Sequence, residues 1–193
     1  CEAEGRRGIP VDELLGYMDE AAKGLDFLNS SQHVIGKSFG AVQHCDVKPD
    51  NIMLTGGSVA ISDFGVAQTL AEARQAAKAT SLGGSPAYMA LEMFVNTPSR
   101  TSDQYSLAVT YYELRTGNLP FVEQIYSAVY QAHRDGTLDF SACRPAEQQV
   151  LRRATAVNPD ERFASCGEFV DRLRSAVHPT EAAGPSRRSR TRG

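Results

Sequence analysis

Residues 44–65 constrain this chain more than any other stretch. They read His44-Cys45-Asp46-Val47-Lys48-Pro49-Asp50-Asn51, then a short apolar run, then Asp63-Phe64-Gly65. The octet carries a carboxylate able to take a proton from a hydroxyl and an ammonium able to steady a phosphate. Its Asn, with the Asp further on, supplies the oxygen donors that a hard divalent cation prefers. His, Asp, Lys, Pro and Asn at these five spacings recur by chance about once in a few million start positions. The Asp-Phe-Gly downstream makes coincidence rarer still.

The residues between the two motifs give a physical reason for their spacing. Ile52-Met53-Leu54 and Val59-Ala60-Ile61 flank Thr55-Gly56-Gly57-Ser58, which reads as a β-hairpin about a Gly-Gly turn. Its open end brings Asn51 and Asp63 side by side on a rigid ribbon.

Around that ribbon the chain is helical. Pro10 suits a first helical turn, and Leu14, Leu15, Met18, Ala21, Ala22, Leu25 and Leu28 recur every three or four residues through Asn29. From Thr101 to Thr116 apolar residues surround almost the whole helical circumference, which predicts a central buried helix ended by Gly117, with Ser102 or Asp103 capping its start. Further helices are expected over 123–133, 145–156 and 165–177, with Asn158-Pro159-Asp160 turning the chain between the last two. Residues 30–43 lack a period and read as a loop, with His33 facing solvent. Residues 66–84, rich in Ala, Gln, Thr, Ser and Gly, read as a long surface segment with a helical turn near 70–79.

Composition limits the function classes. The net charge of −3 includes four Arg and one Glu among the last fourteen residues, so the remainder is more acidic than the whole. That balance argues against nucleic acid as a partner. The four cysteines (Cys1, Cys45, Cys143, Cys166) have neither a C-x-x-C pair nor metal-ligand spacing, and read as reduced thiols. No apolar run reaches the length of a bilayer span. A cytoplasmic location is expected, and the basic tail around Arg187, Arg188, Arg190 and Arg192 also suits a stretch beside a membrane anchor lying outside this chain. The first residue is Cys rather than Met, which suggests a start inside a longer reading frame. The organisation expected is an upstream connection over 1–9, one structured unit over 10–177, and a disordered basic tail over 178–193.

With those motifs in place, the chain from about Pro10 to Val177 resembles the C-terminal lobe of a eukaryotic-type Ser/Thr protein kinase, as found also in bacteria. The resemblance implies an α+β, mostly α fold, in which a helical lobe carries a short β-hairpin beside the catalytic loop. It implies ATP and Mg²⁺ (or Mn²⁺) as cofactors and a protein Ser or Thr hydroxyl as acceptor. Residue by residue, Asp46 matches the catalytic base and Lys48 the lysine two positions on. Asn51 and Asp63 match the metal ligands, and Met53 would face the adenine ring. Gly84-Ser85-Pro86 resembles the substrate-binding loop, where Ser85 would bond Asp46 and Lys48. Ala90-Leu91-Glu92 stands where the family has Ala-Pro-Glu. Asp103 matches the aspartate that anchors the catalytic loop, Arg162 the partner of Glu92, and His44 a scaffold histidine.

The chain departs from that pattern in three places. Cys45 replaces the Arg that lets a phosphorylated loop reach the active site, so switching by phosphorylation at Thr80 or Ser81 is not expected, although Ser81 occupies the family's phosphosite position. Leu91 replaces a Pro that sets backbone geometry without doing chemistry. The residues contain no G-x-G-x-x-G, and none of the four lysines (Lys23, Lys37, Lys48, Lys78) lies in a V-A-I-K-like strand. An N-terminal lobe is therefore missing from these 193 residues, which alone are expected to bind ATP weakly and to transfer no phosphate. Two other readings stay open: a pseudokinase or docking scaffold, and a small-molecule kinase of the aminoglycoside or choline type. The second should lack the 85–92 segment and Arg162.

Overall fold

A computed structural model describes residues 8–35, 38–69, 84–123 and 125–179. Among these residues five helices form one lobe: α1 (Val11–Asn29), α2 (Ser102–Thr116), α3 (Tyr126–Asp135), α4 (Pro145–Ala154) and α5 (Cys166–Val177). Three antiparallel two-stranded ribbons lie beside them, so the α+β, mostly helical expectation holds.

The hydrophobic pattern explains the packing. The periodic face of α1 buries Leu14, Leu15, Met18, Ala21, Ala22 and Leu25, each large aliphatic side chain contributing about 1.5–3 kcal/mol. That face meets α2 and α5. The α2 helix is buried from Ser102 through Tyr112, and Gly117 ends it in the left-handed conformation (φ 76°). Neither expected side-chain cap forms, because Thr101 holds the N-cap position, and its hydroxyl makes no bond to the helix's N–H groups. Ser102 and Asp103 are instead turned inward, since each has a buried partner elsewhere.

Those polar residues on a buried helix decide where the loops attach, because a buried donor or acceptor must be bonded. Asp103 takes the N–H groups of His44 and Cys45 (2.8 and 2.9 Å). The Gln104 amide donates to Phe163 O and Ser165 O (2.8 and 2.9 Å) and accepts from Phe163 N (3.1 Å). Tyr111 donates to Glu147 of α4 (2.8 Å), a wholly buried carboxylate also held by Arg144.

The start of α5 is clamped from a distance. Asp26 of α1 accepts from the Cys166 and Gly167 N–H groups (2.8 and 2.9 Å), while Ser165 Oγ takes the Glu168 N–H (3.0 Å). Asp26→Ala is expected to lower stability by about 1–2 kcal/mol, measured by urea unfolding. A change within 0.5 kcal/mol, about the scatter of a neutral surface site, would mean that Ser165 alone suffices as the cap.

Strands occupy part of the stretch expected to be a loop. β1 (His33–Ile35) pairs with β2 (Ser38–Gly40), and β3 (Val42–Gln43) pairs with β6 (Gln68–Thr69). Two or three residues are too few to show a period of two, so nothing in the sequence marked them. His33 likewise has a partner: its Nε2 lies 2.8 Å from Phe27 O, and its ring meets Phe27 edge-on. The hairpin forms as expected, with β4 (Ile52–Thr55) opposite β5 (Ser58–Ile61). Gly56 and Gly57 both take positive φ (60° and 89°), which a two-residue turn of this hand requires.

The expected helix over 123–133 begins only at Tyr126, and the other two are shorter by one or two residues. Cys45, Cys143 and Cys166 are buried and unpaired, in keeping with reduced thiols. The helical turn near 70–79, Thr80, Ser81, Cys1 and nearly all of the basic tail lie outside the described residues.

Candidate active site

The 44–51 octet is folded by its own short-range chemistry and pinned from behind. Asp103 holds the backbone at His44 and Cys45, and Cys45 sits at φ 66°, a left-handed conformation costly for a residue with a Cβ. The Asn29 amide nitrogen, in the orientation that satisfies its neighbours, donates to the same carboxylate (3.1 Å) and to Val42 O (2.9 Å). Burial pushes the Asp103 carboxyl up, and the two N–H groups and the His44 ring oppose it. His44 is fully buried; its Nε2 lies 3.0 Å from Ser62 O, its Nδ1 accepts from Asp46 N (3.3 Å), and Phe64 meets it edge-on at 4.9 Å. One imidazole thus ties the octet to the Asp63-Phe64-Gly65 turn.

On this frame four side chains converge. Lys48 Nζ lies 3.0 Å from Asp46 Oδ2 and donates to Ser85 Oγ at 2.8 Å. Asn51 Nδ2 donates to Asp46 O (2.8 Å) and to Asp46 Oδ2 (3.1 Å). Asp46 Oδ2 therefore has two donors, whereas Oδ1 is buried with no partner. Burial pushes the Asp46 carboxyl up, but Lys48, Ser85 and Asn51 outweigh it and hold the group below the ordinary carboxylate value. The Asp46 carboxylate is ionised at neutral pH, with one oxygen free to accept.

Asp63 follows directly on the hairpin, where Ser62 N donates to Asn51 O (2.9 Å). It is exposed and takes φ 62°, and its Oδ1 accepts from Gly65 N (3.2 Å). Asn51 has spent its amide nitrogen on Asp46, so its oxygen is the side that can face a cation. Among the described residues no three His, Cys, Asp or Glu side chains cluster as a metal cage. A site of one carboxylate and one amide oxygen fits Mg²⁺, which keeps waters and substrate phosphates as its remaining ligands. Met53 on β4 is half exposed rather than packed in the core.

The 84–92 segment is fitted tightly against the loop. Gly84 has φ 97°, and a Cβ there would lie 2.7 Å from Cys45 O, so only glycine permits the approach. Pro86–Tyr88 forms a 3₁₀ turn, and the Tyr88 hydroxyl donates to Glu113 Oε2 of α2 (2.5 Å). At the far end Glu92 and Arg162 meet in a two-pronged pair (2.7 and 2.9 Å). Asn29, Tyr88 and Glu113 were not singled out from sequence. Asn29 ends a helix, a signal equally common where nothing functional happens.

Comparison with known proteins agrees with this geometry. The family model for the protein kinase domain matches residues 3–174. The chain belongs to the protein kinase family. It is 36% identical over 121 residues to the serine/threonine-protein kinase PEPKR2 of Arabidopsis thaliana, covering 59% of this chain and 25% of that protein. It is 33% identical over 172 residues to the serine/threonine-protein kinase PknB of Mycolicibacterium smegmatis (84% and 26%). It is also 31% identical over 176 residues to the tyrosine-protein kinase MasK of Myxococcus xanthus (87% and 27%). The chain spans about a quarter of the length of these relatives.

Proposed function

We propose that this chain is the C-terminal lobe, over residues 10–177, of a protein serine/threonine kinase that transfers the γ-phosphate of ATP to hydroxyls of protein substrates. The observation that supports it best is Asp46: ionised, two-donor-bound at Oδ2, and unpartnered at a buried Oδ1 beside the Ser85 turn. An incoming hydroxyl at Oδ1 would be oriented by that carboxylate and lose its proton to it late in the transfer. Lys48, anchored to both Asp46 and Ser85, offsets charge building on the transferring group. Asn51 and Asp63 would hold Mg²⁺ or Mn²⁺, whose charge neutralises the phosphates when bound. Met53, exposed on β4, would lie against the adenine.

Lys48-Pro49 favours aliphatic hydroxyls over tyrosine. The 85–92 segment and Arg162 disfavour a small-molecule kinase. Use of ATP and three unpaired buried thiols suit the cytoplasm; no helix among the described residues is long and apolar enough to cross a membrane.

The test is radiolabel transfer from ATP to matched Ser, Thr and Tyr peptides by the full-length protein. Labelling of Ser and Thr peptides, but not Tyr, is expected, while the 193 residues alone should transfer none. ATP binding by the full-length protein without transfer to any peptide would favour the scaffold reading instead.

A further inference from the structure

The 85–92 segment is braced at both ends by a single side chain that has no part in phosphate transfer. Tyr105 lies on α2 and is 1% exposed. Its ring sits beneath the Arg162 guanidinium at 4.9 Å, and Arg162 grips Glu92. Its hydroxyl lies 2.6 Å from His133 Nδ1 in the last turn of α3. That helix packs on the Pro86–Tyr88 turn.

His133 is an odd choice for its surroundings. It is 1% exposed among the rings of Phe94, Tyr105 and Phe121, with centroids 5.2–5.7 Å away. A phenylalanine would suit such a wall. Yet the imidazole is present, and its Nε2 is buried without forming a hydrogen bond, a polar atom kept where an apolar one would cost less. Burial drives its pKa down to about 4, against a pull from the Pro86 and Ala87 carbonyls, so the ring is neutral at pH 7. A Tyr105 hydroxyl that donates to Nδ1 requires the one ring proton on Nε2.

We infer that His133, set by Tyr105, is a positioning residue for the peptide substrate: its Nε2–H is the buried donor available to the Pro86–Ala87 carbonyls, and engaging them fixes the turn on which the peptide lies. The inference rests on reading 85–92 as the substrate segment. Tyr105 then couples the two ends of that segment, one through Arg162 and Glu92, the other through His133.

Steady-state kinetics of the full-length protein test this. His133→Phe is expected to raise the peptide KM at least fivefold with the ATP KM within twofold. His133→Gln, which can still present an N–H to the carbonyls, should recover most of the loss, and Tyr105→Phe should resemble His133→Phe. An unchanged peptide KM, or equal losses toward ATP and peptide, overturns the inference. A readout independent of activity is ¹⁵N-histidine NMR of the same protein, where His133 is expected as the Nε2–H tautomer and Tyr105→Phe should mix the tautomers. An Nδ1–H ring overturns it even if His133→Phe fails to fold. Absence of any peptide labelling by the wild type would instead sink the kinase reading, leaving the tautomer to decide the role of His133.

Discussion

Asp46→Asn in the full-length protein is expected to lower kcat for peptide phosphorylation about 10³-fold, with the ATP KM within about threefold. Asparagine keeps the shape of the side chain and can still accept at one oxygen, so the loop should stay folded. On the proposed reading it loses the negative charge that would orient and then receive the substrate proton, a contribution of about 10²–10⁴ in rate. At 1.36 kcal/mol per decade the expected loss is about 4 kcal/mol of transition-state stabilisation. The pair with Lys48 is lost too, freeing that ammonium to lean toward Ser85 alone. Because the Asp46 carboxyl is held below its ordinary value, the acid limb of the wild-type pH–rate profile assigned to this group should lie below the usual carboxylate range. A variant retaining a tenth or more of wild-type kcat would remove Asp46 from the role of base.

Much of this site was legible in the sequence because its parts are local. Asp46, Lys48 and Asn51 lie within six residues, and the hairpin that carries Asp63 alongside is set by two glycines and two short apolar runs. Helices were legible where a long amphipathic face repeats, as in α1, or where polar residues thin out, as in α2. Illegible were contacts that only tertiary packing creates. Asn29 reaches Asp103 because α1 ends against α2, and Tyr105 meets His133 across two helices 28 residues apart. The ribbons β1–β2 and β3–β6 were hidden by their length. The caps expected at Ser102 and Asp103 failed for a related reason: a buried helix needs its polar residues for partners in other segments more than for its own first turn.

The same logic makes Arg162 costly to lose. Arg162→Ala is expected to destabilise the protein by about 3–5 kcal/mol, since removing one partner strands a buried charge. Arg162 has a fully buried side chain, and its fork serves both Glu92 oxygens, with further bonds to Ala156 O (2.8 Å) and Thr101 O (3.2 Å). Glu92 would keep its bonds from Ser99 and Ser102 (3.0 and 2.7 Å), yet neither carries charge. Burial pushes the Glu92 carboxyl up, but Arg162 outweighs it and holds the group below the ordinary value of 4.5. The stabilisation is therefore complete above pH 4.5 and disappears as pH falls through the lowered value. Urea unfolding of wild type and Arg162→Ala at pH 7 and at pH 3.5 should show the gap narrowing in acid. The double variant Glu92→Leu with Arg162→Leu should lose less than Arg162→Ala, because no lone charge remains inside. A single-variant loss below about 1 kcal/mol, typical of an exposed pair, would mean that water reaches Glu92 and that this end of the 84–92 segment is not braced by charge.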